Sequence, residues 1–90
     1  MLDHLDYASL LNAYRSIWNN RSLVAEAGYE EDVLKEAILR ELKDENSHPR
    51  VRRSHVEKYI FATKRIIESS ITNEEKVSLI KLHLEIMEHL

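Results

Sequence analysis

Apolar residues recur at intervals of three and four positions along most of this chain, which is the spacing of one face of an α-helix. The pattern is interrupted at residues 19–29, 46–49 and 69–72, where polar residues and the only glycine and proline are found. These interruptions divide the chain into helices and short connections. We therefore predict an all-α fold, a compact bundle of four main helices with a short extra helical turn after the first.

The first predicted helix begins after Asp3, which is suited to cap it, and carries most of the aromatic residues on its apolar side. That side consists of Tyr7, Leu10, Leu11, Tyr14, Ile17 and Trp18. Weak helix formers at residues 19–22 predict a break or kink. A short helical turn over residues 23–27 is expected next, ended by Gly28, because glycine readily adopts the left-handed conformation at a helix end.

The other three helices are marked by their ends. Acidic residues at 30–32 favour the start of the second helix, which we expect to run to the connection at residues 46–49. Pro49 is expected near the first position of the third helix, because its fixed backbone angle suits that position. Thr72 and Glu75 have the spacing of a capping box, which predicts a fourth helix over residues 73–90.

Length and composition favour one folded domain, which we assign to residues 1–90. With 43% hydrophobic and 32% charged residues, the chain has no uncharged stretch near the roughly 18 to 20 residues of a membrane span. The first six residues lack the basic and apolar regions of a secretory signal. The absence of cysteine excludes disulfides, thiol catalysis and cysteine-ligated zinc. A cytoplasmic location and no membrane partner are therefore expected.

The last predicted helix is more apolar than a small bundle needs. At about 100° per residue its apolar side chains cover an arc of roughly 220°, whereas a surface helix needs little more than 100°. They are Val77, Leu79, Ile80, Leu82, Leu84, Ile86, Met87 and Leu90. The surplus predicts an interface with another chain, most simply a second copy in a homodimer. The predicted interface residues are Leu79, Leu82, His83, Ile86 and Leu90.

His83 lies within this apolar arc, and its position has two interpretations. The simpler is a core or interface histidine with one ring nitrogen hydrogen-bonded, and the alternative is an interface that weakens as the imidazole is protonated. The histidines lack the spacing of a helical metal site, because His83 and His89 lie on different faces. No serine has the setting of a nucleophile, and no glycine-rich phosphate loop exists. We predict no enzymatic activity, no metal and no cofactor.

A basic block at residues 48–66 carries six bases and one acid. One interpretation is pairing within the chain, because acids that end one helix and bases that start the next each sit where the helix dipole disfavours them. The pairing residues would be Glu41, Asp44 and Glu45 with Arg50, Arg52 and Arg53. The other interpretation is a surface that contacts nucleic-acid phosphates. Its residues would be Arg50, Arg52, Arg53, Lys64 and Arg65.

Apolar residues flank Gly28 within residues 22–39, whose sequence is SLVAEAGYEEDVLKEAIL. They are Leu23, Val24, Leu34 and Ala37. With the glycine in a turn and these side chains buried, the segment resembles a helix-turn-helix motif, which implies DNA reading by its second helix. That helix is acidic on its surface, and a groove lined by phosphates repels it. The resemblance therefore favours shared packing over shared base reading.

By elimination, the sequence predicts a small non-enzymatic regulatory protein that binds and modulates a larger protein through an apolar helical face, as a homodimer. The alternative is a nucleic-acid-binding transcriptional regulator that uses the basic third helix or the helix-turn-helix-like segment. A purely structural subunit of an assembly forms a third class. The partner expected first is thus another protein, with nucleic acid second.

Overall fold

The computed structural model describes residues 6–18, 23–45, 48–51 and 53–90. Within these ranges the chain forms four α-helices and one 3-10 turn, and no β-strand. The helices are α1 (Tyr7–Trp18), α2 (Glu30–Leu42), α3 (His55–Glu68) and α4 (Asn73–Glu88), and the 3-10 turn spans Pro49–Val51. The prediction of an all-α fold with four main helices is confirmed. None of the helices in the described ranges is long and apolar enough to cross a membrane.

The extra helical turn predicted over residues 23–27 is not confirmed. Residues 23–26 have no regular secondary structure, and the chain turns at Ala27 and Gly28, where the glycine has a φ of 93°. Leu23 and Ala25 pack against the core while Val24 between them remains exposed. The first turn of a helix is costly to form, and a segment this short gains too few hydrogen bonds to offset that cost. The short helical element follows α2 instead, at Pro49–Val51.

The third helix begins later than expected, because Pro49 starts the separate 3-10 turn and α3 starts at His55. Ser54 is the N-cap of α3 and forms a capping box with Glu57. The backbone N–H of Glu57 donates to the Ser54 hydroxyl at 3.1 Å, and the Ser54 N–H donates to the Glu57 carboxylate at 3.4 Å. These reciprocal bonds satisfy two backbone amides that a helix end leaves free, so they fix the start of α3 at this point.

The capping box predicted for the fourth helix is confirmed. The Glu75 N–H donates to the Thr72 hydroxyl at 3.1 Å, and the Thr72 N–H donates to the Glu75 carboxylate at 3.0 Å. The cap proposed for the first helix, Asp3, lies outside the described residues. Next to α1, the Asp6 carboxylate accepts the backbone N–H of Ser9 at 3.2 Å, and this bond lowers the pKa of the Asp6 carboxyl.

The core forms where α4 packs against all three other helices. The side chains with essentially no exposure belong to α2, α3 and α4. They are Leu34, Ile38, Leu42, Ile66, Leu79, Leu82 and His83. α1 adds Leu10, Leu11, Ala13, Tyr14 and Ile17. A helix with three neighbours buries a wider arc than a surface helix does. Much of the apolar surplus of α4 is therefore used inside the chain's own core.

Candidate interaction surface

The predicted interface residues of α4 do not share one exposed surface. Leu79, Leu82 and His83 are buried in the core of the same chain, with exposed fractions of 0%, 2% and 0%. Their assignment to an intermolecular surface is thus corrected, because α1, α2 and α3 cover the side of α4 that carries them. Ile86 is partly buried against the core, and Leu90 at the end of the chain is exposed. Both line a shallow groove between α4 and α2.

His83 lies in the core, which agrees with the simpler of its two interpretations. One ring nitrogen, Nδ1, donates to the Leu79 carbonyl at 2.6 Å, and the ring centroid is 6.1 Å from that of Tyr14. The other nitrogen, Nε2, is buried and has no hydrogen-bond partner among the described residues. Burial lowers the pKa of His83, although the bond to Leu79 and the charge of Glu41 oppose the shift. A proton on Nε2 would thus have no acceptor nearby.

A different set of apolar side chains is exposed on the outside of the bundle. Val56, Ile60 and Ile67 of α3 and Val77 and Leu84 of α4 are each between 45% and 56% exposed. At about 100° per residue, the three on α3 lie within roughly 40° of one another around the helix axis, and the two on α4 within roughly 20°. α3 therefore has an exposed apolar stripe, whereas the exposed stripe of α4 alternates its two apolar side chains with Lys81 and Glu88, which lie in the same arc of roughly 60°.

Each stripe lies on the side of its helix that faces away from α1 and α2. Lys58 and Arg65, roughly 180° around α3 from its stripe, contact Glu41 of α2 and the Ile17 carbonyl of α1. On α4, Ile86 lies on the side opposite the stripe, where it lines the groove between α4 and α2. Both stripes thus point away from α1 and α2, and α3 and α4 pack directly on each other. We call the resulting surface the α3–α4 face; it consists of Val56, Ile60, Ile67, Val77 and Leu84.

Sequence reasoning assigned no surface role to the stripe on α3. Val56, Ile60 and Ile67 belong to an apolar pattern of the third helix that also includes Tyr59 and Ile66, and the sequence alone does not divide this pattern between core and surface. The structure buries Ile66 and partly buries Tyr59, but leaves the other three half exposed. The available signal was the width of that pattern, which is too great for a helix at the edge of a bundle.

Two of the acids predicted to pair with the arginines, Glu41 and Asp44, form ion pairs with Lys58. Lys58, one turn into α3, places its ammonium 2.5 Å from the Glu41 carboxylate and 3.5 Å from that of Asp44. Asp44 is 9% exposed and has a φ of 54°, and its carboxylate also accepts the backbone N–H of Arg53 at 2.9 Å. The turn after α2 thus places Glu41 and Asp44 beside Lys58 of α3. Asp44 and Lys58 together join the end of α2 to the start of α3.

The bases predicted to contact nucleic acid differ in whether they contact other groups of the same chain. The Arg53 guanidinium lies 3.5 Å from the Glu57 carboxylate and 5.1 Å from the Phe61 ring centre. The Arg65 guanidinium lies 4.5 Å from the Trp18 ring centre, and its Nε donates to the Ile17 carbonyl at 3.3 Å. These two bases are engaged within the chain.

Two other predicted bases, Arg50 and Lys64, are exposed and form no ion pair with any described residue. Arg52 lies outside the described residues. Of the four predicted bases in the described residues, two thus contact groups of the same chain and two have no ion pair with a described residue. Within the described part of the chain, no three His, Asp or Glu side chains are arranged to hold a metal ion.

Comparison with known proteins places the chain among relatives. The model of the YoyC family matches residues 5–90. The chain belongs to this family. It is similar to the protein described as "uncharacterized protein YoyC" of Bacillus subtilis (strain 168), with 42% identity over 81 residues, 90% of this chain and 85% of the relative. No solved structure matches it. The proposed function therefore rests on the surface of this YoyC family member.

Proposed function

We propose that this chain is a small, non-enzymatic cytoplasmic regulatory protein that binds and modulates a larger protein through the α3–α4 face. The observation that carries the proposal is that five apolar side chains on two packed helices are half exposed. Such side chains leave on the order of 300 Å² of exposed apolar surface, which is comparable with the largest apolar patch of a typical monomeric protein, and that patch is often functional. Single exposed apolar residues are common and need no such explanation.

The shape of the face favours a helical partner. Side chains on a helix surface form ridges, and an amphipathic helix can lay its own apolar side chains between the ridges of two packed helices. Ile80 and Met87 of α4, which are partly buried, lie roughly 40–80° around the helix from its stripe and add apolar surface beside it. Affinity in this arrangement comes from burial of apolar area, which salt does not screen.

Nucleic-acid binding has weaker support. Arg53 and Arg65 are held against aromatic rings of the same chain, and Lys58 is paired with Glu41 and Asp44. The second helix of the helix-turn-helix-like segment is α2, which begins with three acids. A phosphate surface gains affinity by releasing counterions from free bases, and bases already paired contribute little to that release. We therefore rank a transcriptional regulator below a protein-binding regulator.

The proposal predicts a captured protein whose binding depends on the α3–α4 face. The tagged full-length chain and its Ile60→Glu and Leu84→Glu variants would be incubated with lysate of the native host after nuclease treatment. The wild type should retain a specific protein, and its affinity should change less than tenfold between about 50 and 200 mM salt. Either variant should reduce the captured amount at least about tenfold, because a buried unpaired carboxylate opposes apolar docking.

The matched control is Val24→Glu. Val24 is 66% exposed and lies outside the α3–α4 face, so the same substitution at this position should not affect binding through that face. Capture should therefore persist with this variant. Capture that depends on intact nucleic acid, falls by several orders of magnitude over that salt range and disappears on replacement of Arg50 and Lys64 would establish the nucleic-acid function instead.

A further inference from the structure

We infer that a pocket where α1, α2 and α3 meet binds a small aromatic monocarboxylate. The pocket is open to solvent and has a volume of about 540 Å³, which is within the range of small-molecule sites. From α3 it is lined by Lys58, Phe61 and Arg65, which lie roughly 120–180° around that helix from its exposed apolar stripe. The site is therefore separate from the α3–α4 face, and the inference does not depend on the proposed function.

The pocket contains a guanidinium group that the chain itself holds in position. The Nε of Arg65 donates to the Ile17 carbonyl at 3.3 Å, and the guanidinium lies 4.5 Å from the centre of the Trp18 ring. These contacts engage one edge and one face of the group, while its two terminal nitrogens donate to no described residue. The terminal nitrogens carry four N–H donors, whose spacing matches the two oxygens of a carboxylate. Arg65 can thus bind a carboxylate with little further loss of side-chain freedom.

The charges that line the pocket favour an anion with a single charge. The Lys58 ammonium is already compensated by two carboxylates from the end of α2. Lys64, Arg65 and Glu68 line the same pocket and form no ion pair with any described residue. Two uncompensated bases and one uncompensated acid leave a single positive charge. A monocarboxylate matches this balance, whereas a phosphate dianion exceeds it and is repelled by the Glu68 carboxylate.

The aromatic residues of the pocket indicate the apolar part of the ligand. Phe61 is 47% exposed, so much of its ring is in contact with water. Trp18, which is partly buried, lines the pocket from the end of α1. A ligand ring that packs on such side chains removes apolar area from water and adds the offset or edge-to-face contacts that aromatic rings prefer. The ligand class is therefore an aromatic ring joined by a short linker to one carboxylate.

Phenylacetate is the probe that tests this assignment. Trp18 is the only tryptophan of the chain, so its fluorescence reports directly on the pocket. Its emission should change along a saturable curve with a dissociation constant in the low millimolar range or below, as expected for a ligand of about ten heavy atoms. Phenylacetamide has the same shape without the charge, and acetate lacks the ring. Each should bind at least about tenfold more weakly than phenylacetate.

Substitutions in the pocket should weaken phenylacetate binding in proportion to the contacts they remove. Arg65→Lys keeps the charge but removes the fork of donors, and Phe61→Ala removes the ring; each should raise the dissociation constant at least about fivefold. Lys64→Gln should raise it roughly threefold. Because Arg65→Lys also changes the surroundings of Trp18, saturation-transfer NMR on the phenylacetate protons measures binding in every variant. Helical circular dichroism should be unchanged, since all three side chains are exposed.

The matched controls are Arg50→Gln and Tyr29→Ala, which remove an exposed base and an exposed aromatic ring outside the pocket. Binding that is weakened by the pocket variants and unchanged in both controls supports the inference. No saturable signal up to about 50 mM phenylacetate would overturn it. Binding that is indifferent to Phe61→Ala and Arg65→Lys would place the ligand elsewhere and also overturn it. Adenosine monophosphate that bound at least as tightly as phenylacetate would overturn the assignment to a monocarboxylate.

Discussion

Replacing Asp44 with alanine is expected to lower the free energy of unfolding by about 3 kcal/mol. The carboxylate is nearly buried, accepts the Arg53 backbone N–H at 2.9 Å and lies 3.5 Å from the Lys58 ammonium. Its removal leaves both donors without this acceptor in a site that water reaches poorly. The backbone also resists alanine, because φ is 54° at this position and aspartate tolerates that conformation better than most residues. Denaturant melts measure the loss.

Asparagine at the same position separates charge from conformation. Asp44→Asn keeps the size, the tolerance for positive φ and an oxygen that can accept the Arg53 N–H, so only the charge is removed. We expect a loss of about 1–2 kcal/mol, and a double-mutant cycle with Lys58→Met should show coupling of at least about 0.5 kcal/mol. Arg50→Gln should cost much less than Lys58→Met, since Arg50 is exposed and Lys58 is paired. Equal losses at these two bases would contradict the observed pairing.

Lowering the pH below the ordinary histidine value should destabilise the fold through His83. Burial holds the pKa of His83 below 6.5, the value it has in an unfolded chain. Between the two values the unfolded chain binds a proton that the folded chain does not, so stability is greatest above pH 6.5 and falls as the pH decreases through that window. The slope can reach about 1.4 kcal/mol per pH unit for a single group.

Comparison of the wild type with two variants isolates the contribution of His83 to the pH dependence of stability. His83→Leu fills a similar volume without a titrating group or an unpaired nitrogen, and His83→Asn keeps an N–H that can donate to the Leu79 carbonyl. Unfolding free energies measured from pH 8 to pH 4 should show the wild type losing stability relative to both variants as the pH falls. If the difference between wild type and His83→Leu were independent of pH, the buried neutral imidazole would be the wrong description.

Local features of the sequence determined much of the architecture. Three- and four-residue spacing placed four helices, and the Thr72 and Glu75 pair located the start of α4, because a capping box is formed by residues close in sequence. The Ser54 and Glu57 pair has the same form and marks the start of α3, which therefore begins after the start predicted at Pro49. The prediction of an isolated helical turn over residues 23–27 was wrong, because a glycine marks where a helix can end but does not indicate that a helix has formed before it.

The tertiary structure alone decided which apolar residues are buried and which charges meet. Helical periodicity gives the width of an apolar arc, but neighbouring helices determine which part of it they cover. Leu82 and His83 thus lie in the core, whereas Ile60 lies on the surface. Lys58 pairs with Glu41 and Asp44 because the turn after α2 sets the distance between two helices. Such distances depend on packing between residues far apart in sequence, and no local pattern encodes them.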